Sequence, residues 1–169
     1  VRTTGKLSKA RSNISVGAAG NKIVFAGGWF WDMSYNIINS NAVDIYDVTT
    51  GIWTKTTLSI KRESMAVAVV GDEIIFAGGA TNNGGTVKNV DIYNVVTDAW
   101  TTTNLPTARY GLKSVVVGTN AYFAGGLFDV IENEVDVYNT VADSWSTIYI
   151  PVSLSGFSMS VINDKIYFA

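Results

Sequence analysis

Three stretches of this 169-residue chain nearly superpose: IVFAGG (23–28), IIFAGG (74–79) and AYFAGG (121–126), with IYFA (166–169) beginning a fourth. After each glycine pair comes VDIYD (43–47), VDIYN (90–94) or VDVYN (135–139), and seven residues beyond each Tyr stands Trp53, Trp100 or Trp145. Phe25, Phe76, Phe123 and Phe168 are separated by 51, 47 and 45 residues. Self-similarity at this period signals a stacked repeat architecture, in which one unit buries its apolar faces against the next. No other feature constrains the fold as tightly.

The unit around 62–105 shows how each repeat is built. SMAVAVV reads as a strand of small residues suited to a crowded innermost position, and Gly71-Asp72 is a two-residue hairpin signal. EIIFA is a second strand ended by Gly78-Gly79. VDIYN alternates as a half-buried strand should, and AWTTTNL is a Thr-rich outer strand with one large anchor. Equivalent turn signals stand at Gly20-Asn21 and Asn163-Asp164, and no stretch carries a helical period. The expected class is all-β.

A Gly-Gly pair, then Tyr, then Trp, in units of about 50 residues, resembles the kelch repeat. The resemblance covers essentially the whole chain. It implies a β-propeller of four-stranded antiparallel blades. Residues 10–58, 60–105 and 107–150 then supply blades, 152–169 the start of a further one, and 1–8 the outer strand of an adjoining blade, with Arg2 where a Trp is expected. The expectation is a partial propeller that associates with further blades or another chain, because open strand edges invite pairing. A closed four-blade ring would lack a third strand in its last blade.

The glycine pairs are expected to supply positive φ and close approach between blades. GGWFWDM lacks the Lys-Ser/Thr of a phosphate-binding loop. Tyr46, Tyr93 and Tyr138, with the three Trp residues, recur once per unit and are expected to pack between blades.

Histidine and cysteine are both absent from the sequence. Disulfides, thiolate nucleophiles, Cys/His metal sites and a Ser-His-Asp triad are therefore excluded within this chain. Some kelch-type propellers are oxidases with a copper site of Tyr, Cys and His, and others act on sialic acids. This chain cannot build that copper site alone, and it has no Ser-x-Asp-x-Gly-x-x-Trp box. The expectation is a non-catalytic module without cofactor or metal. An enzyme would require catalytic residues outside the chain. A formal net charge of -2 with no Lys/Arg run argues against nucleic acid, and apolar runs such as MAVAVV fall far short of a membrane span. The Ser/Thr/Asn-rich, low-charge composition tilts the expectation towards an extracellular protein. The sequon Asn13-Ile14-Ser15 adds little, since it falls at the start of an innermost strand.

Repeat spacing locates the variable surface. Asp44 stands sixteen positions after Gly28, Asp91 twelve after Gly79 and Asp136 ten after Gly126, while the other intervals hold constant. All length variation therefore lies in the loop joining the second and third strands. In an antiparallel blade that loop emerges on the same rim as the connection between blades. That connection carries SKAR (8–11), SIKR (59–62) and PTAR (106–109), with Leu154 in the fourth Arg position. Kelch-type propellers often receive partner proteins on this face, so the resemblance implies a protein or peptide partner there. The candidate contact residues are Arg11, Trp29, Phe30, Trp31, Tyr35, Lys61, Arg62, Asn82, Arg109 and Tyr110. Arg11, Arg62 and Arg109 are expected near the channel mouth. They either present guanidinium forks to an acidic partner or bond neighbouring loop carbonyls and hold adjacent blades together. Four aromatics within 29–35 either pack on their own blade or face a partner, and a glycan stacking on Trp29, Trp31 and Tyr35 is the alternative ligand. Asp32, Asp129, Glu132 and Glu134, in or beside the rim loops, are expected to be solvated.

Overall fold

The computed structural model describes residues 5–126, 133–151 and 156–169. It is all-β. The first sheet contains β1 (Ser15–Ala19), β2 (Lys22–Ala26), β5 (Ala42–Asp47) and β6 (Trp53–Thr57), and a separate hairpin of β3 (Trp29–Trp31) and β4 (Ile37–Asn39) is inserted between its second and third strands. The second sheet contains β7 (Ala66–Val70), β8 (Glu73–Ala77), β9 (Asn89–Asn94) and β10 (Ala99–Asn104). The third contains β11 (Lys113–Val117), β12 (Asn120–Ala124), β13 (Glu134–Asn139) and β14 (Ser144–Tyr149). A two-stranded sheet of β15 (Met159–Ile162) and β16 (Lys165–Phe168) follows. Every strand pairing is antiparallel and, apart from β2 with β5 across the inserted hairpin, joins strands consecutive in the chain; the first strands β1, β7, β11 and β15 neighbour one another along the inner side. Of the expected outer strand over 1–8, residues 5–8 form no strand and 1–4 lie outside the described residues, as does Leu154.

Local chemistry explains the regularity. Val70 pairs with Glu73 across Gly71-Asp72, and Gly71 adopts φ 56°, the left-handed geometry a two-residue hairpin requires. The sheets stack through their faces. Ile74, Phe76 and Tyr93 of the second sheet pack with Val24, Ala26 and Ile45 of the first. The opposite face, Ile75, Val90 and Ile92, packs with Ala121, Phe123 and Tyr138 of the third. Adjacent residues on one strand thus serve two different interfaces. Each Trp sits over the Tyr and Phe of its own blade, with ring centroids 4.8–5.0 Å from the Tyr, and Trp100 and Trp145 also rest against the core shared with the preceding blade. Trp145 donates its indole N–H to Thr103 of that blade at 3.2 Å.

The glycine pairs stand where blades touch. A Cβ on Gly27, at φ 66°, would lie 2.5 Å from the Arg62 carbonyl oxygen of the next blade, and one on Gly78 would lie 2.4 Å from that of Arg109. Only a residue without a side chain fits such an approach at that backbone geometry.

Candidate functional site

The segment after Gly28 and the segment before Arg62 leave the sheets on one rim. The Gly28 amide donates to the Arg62 carbonyl at 3.1 Å, and the Arg62 amide donates to the Ser40 carbonyl at 3.2 Å. The same lock recurs where Gly79 donates to the Arg109 carbonyl at 2.9 Å. This rim therefore holds the variable loops and the blade connections together.

Beneath it lie the recurring arginines, whose two expected readings are a fork offered at the channel mouth and a bond to loop carbonyls between adjacent blades; the side chains are instead buried and paired within their own blades. Arg62 and Arg109 are fully buried, and the Arg11 side chain is equally shielded. Each is spent on a carboxylate of its own blade: Arg11 on Asp44, Arg62 on Asp91 at 2.7 Å, and Arg109 on Asp136. Arg11 also donates to the Gly27 and Ala42 carbonyls, Arg62 to that of Phe76 at 3.1 Å, and Arg109 to those of Gly125 at 3.1 Å and Glu134 at 3.2 Å. Burial draws the Arg62 guanidinium below its ordinary pKa, and Asp91 opposes that, so it stays charged. The side chain clamps its own blade, while the main chain of the same residue receives the neighbouring blade's glycine. Such an arginine has no fork to offer an acidic partner.

The acidic half of each clamp also takes other donors. Asp91 accepts from the Ser59 amide and hydroxyl, both at 3.0 Å, and Asp44 accepts from the Ser8 amide at 3.0 Å. Asp44, Asp91 and Asp136 are not among the residues singled out from the sequence, although each follows the Val of a VD(I/V)Y stretch.

The β3–β4 hairpin presents four large apolar side chains to solvent. Trp31 is 56% exposed, Tyr35 84% and Met33 103%, with Ile37 also exposed. Trp29 and Phe30 are half-buried; Trp29 meets Trp31 edge-on at 5.4 Å, and the Lys9 ammonium lies 3.0 Å from the Phe30 ring centroid. So the opening aromatic run divides, its first two rings packed inward and its later ones displayed.

The hairpin carrying these side chains is braced. Asp32 accepts from the amides of Ser34 and Asn36, both at 2.8 Å, and from the Asn36 side chain at 3.0 Å. Those bonds hold the Asp32 carboxyl below its ordinary pKa, the Asn36 backbone amide contributing most. Asn82, from the corresponding loop of the next blade, accepts from the Asn39 amide and donates to the Ile37 carbonyl at 2.6 Å. Asn82 thus acts as a brace of the hairpin, although its residue is exposed. Lys61 is exposed and Tyr110 half-buried on the same rim. Asp129 and Glu132 lie outside the described residues, while Glu134 accepts from the Thr107 hydroxyl at 3.1 Å and is half-buried rather than freely solvated. The side-chain nitrogen of Asn13, in the sequon, donates to Glu63 at 2.6 Å and Ser64 at 2.9 Å. Among the described residues there is no group of three or more potential metal-ligating side chains, and no helix is long and apolar enough to cross a membrane.

Four-stranded antiparallel sheets stacked face to face, inner strands side by side, are blades of a β-propeller. The family model for the KLHDC2/KLHL20/DRC7 Kelch-repeats domain matches residues 1–169, and the chain belongs to this kelch-repeat family. No curated protein matches it. The solved structure of YjhT is similar, with a TM-score of 0.75 at 14% identity over 94% of this chain. At that identity the likeness is one of fold. The chain spans 58% of the length of that protein.

Proposed function

We propose that this kelch-repeat chain is a non-catalytic interaction module that binds a protein or peptide on the rim carrying the β3–β4 hairpin. The observation behind the reading is the display of Trp31, Met33, Tyr35 and Ile37 on a hairpin fixed by Asp32 and Asn82. Braced aromatic side chains give large contact area at low cost in conformational entropy, and interface hot spots are enriched in Trp and Tyr. With the arginines engaged by their own aspartates, apolar burial supplies the affinity, and Lys9 and Lys61 contribute polar contacts at the edge.

Selection from a random-peptide display library on the wild-type chain tests this, with counter-screening on a Trp31→Ala/Tyr35→Ala double variant. Enriched peptides should lose at least tenfold in affinity for the double variant. Peptides that bind both proteins equally would overturn the assignment of the hairpin. A glycan array run on the same pair separates peptide binding from sugar binding.

A further inference from the structure

We infer that a cavity between the second and third blades, on the rim opposite the hairpin, binds a primary ammonium group. The cavity has a volume of about 400 Å³ and is lined by Glu73, Thr101, Thr102, Thr103, Tyr138 and Asp143 among others. None of its lining residues is a lysine or arginine.

The repeat itself shows what belongs there. Lys22 opens β2, and Glu73 opens β8 at the equivalent place: Lys22 pairs with Asp47, and Glu73 with Asn94, in matching registers. Across the interface of the first and second blades, the Lys22 ammonium bonds the Tyr93 hydroxyl at 3.1 Å and forms an ion pair with Asp98. The Tyr93 hydroxyl in turn donates to Asp98. Across the next interface the receiving pair is rebuilt: the Tyr138 hydroxyl donates to Asp143 at 2.6 Å, and Asp143 adopts φ 48° beside the 56° of Asp98. The lysine, however, has become Glu73. An ammonium cradle in one interface is thus repeated in the next with the built-in ammonium replaced by a third acceptor.

Unmet hydrogen-bonding capacity points the same way. Among the described residues the Glu73 Oε2 atom has no hydrogen-bond partner, and because it lies just beneath the surface of the cavity an ammonium meets it once the carboxylate turns about its own axis. Burial, and then the nearby Asp143, raise the Glu73 carboxyl above its ordinary pKa. A primary ammonium has three donors, matching Glu73, the free lone pair of the Tyr138 hydroxyl and Asp143. Ile92 and the threonine methyls offer apolar wall for an alkyl stem. Two carboxylates alone serve a divalent cation poorly, since calcium takes six to eight oxygen ligands.

Butylammonium, titrated at constant ionic strength into the full chain and followed by amide NMR shifts, is the direct probe. Saturable shifts are expected at Thr101–Thr103, Tyr138 and Asp143, with affinity at least tenfold weaker in Glu73→Gln and in Asp143→Asn and unchanged in Asp98→Asn. Glu73→Lys should abolish the response and raise the thermal midpoint, because it recreates the Lys22 arrangement. A lysine-containing tripeptide titrated in parallel distinguishes sources: tighter binding than butylammonium assigns the site to a protein lysine, weaker binding to a free alkylamine. Non-saturating shifts, equal affinity in both carboxylate variants, or saturation by calcium at lower concentration than butylammonium would each overturn the assignment. The hairpin on the other rim is not involved, so this result and the peptide selection stand or fall separately.

Discussion

Arg62 and Asp91 hold each other at 2.7 Å, with the arginine side chain fully withdrawn from solvent and that of Asp91 only 4% exposed. The pair lies beneath the connection between blades, where Ser59 donates twice to the same carboxylate. Removing one partner of a buried pair leaves the other charge uncompensated, at a cost of about 3–5 kcal/mol. Arg62→Ala should therefore lower the denaturant midpoint sharply. Replacing both partners with apolar residues, as in Arg62→Met/Asp91→Leu, should recover much of that loss. A double variant as unstable as the single one would show that Ser59 and the loop carbonyls, rather than the charge pair, set the stability.

The glycines divide into two groups that substitution should separate. Gly27 and Gly51 both have positive φ, 66° and 71°, yet a Cβ at Gly27 meets the Arg62 carbonyl and one at Gly51 meets nothing within 4 Å. Gly51→Ala carries only the conformational penalty, about 1 kcal/mol. Gly27→Ala adds a backbone collision across the blade interface and should cost at least about 3 kcal/mol. Thermal midpoints of the two variants, measured side by side, check this ordering.

Trp100 stacks on Tyr93 at 4.9 Å and on Phe76 at 6.2 Å, and it rests against the core shared with the first blade. Trp100→Ala should cost about 3 kcal/mol, near the low end for a large aromatic because the ring is half-buried. An unchanged thermal midpoint would mean that the recurring Trp is not a packing anchor. By contrast, Trp31 lies on the hairpin outside the four-stranded sheets with Trp29 as its one aromatic partner among the described residues, in a pair worth about 0.5–1.5 kcal/mol. Trp31→Ala should leave the unfolding midpoint nearly unchanged while weakening peptide binding, a dissociation that chemical denaturation and the peptide selection measure together.

How much of this is legible in the sequence depends on whether the signal is local. The strands, their hairpins and the stacked aromatics follow from period, alternation and turn chemistry, all carried within a few residues. The arginine clamp was not readable in that way. In VDIY, alternation suggests that every second side chain faces water, but a blade between two others is covered on both faces. Val90, Asp91, Ile92 and Tyr93 of the middle blade are all buried. Asp91 thus occupies an interior slot that only its distant partner Arg62 explains. The hairpin was hidden for a different reason: its turn has no glycine, and Tyr35 itself takes the left-handed φ of 60°. The cavity at Glu73 depends on a comparison between interfaces, which no single repeat contains.

Asp32 ties the hairpin to pH. Its carboxylate accepts from the Asn36 backbone amide, the Asn36 side chain and the Ser34 backbone amide, and its pKa in the folded hairpin is therefore lower than in an open one. A carboxylate with a depressed folded pKa adds stability that is present above the unfolded value, near 3.9, and lost as pH falls through the folded value. The hairpin should consequently loosen below about pH 4. Trp31 immediately precedes this turn and Tyr35 lies within it, so indole fluorescence and the amide exchange rates of Ser34 and Asn36 should report the change. In Asp32→Asn the carboxylate is absent, and both signals should be flat over the same interval. Equal acid sensitivity in the wild type and the variant would place the titrating group elsewhere and remove Asp32 as the brace of the displayed surface.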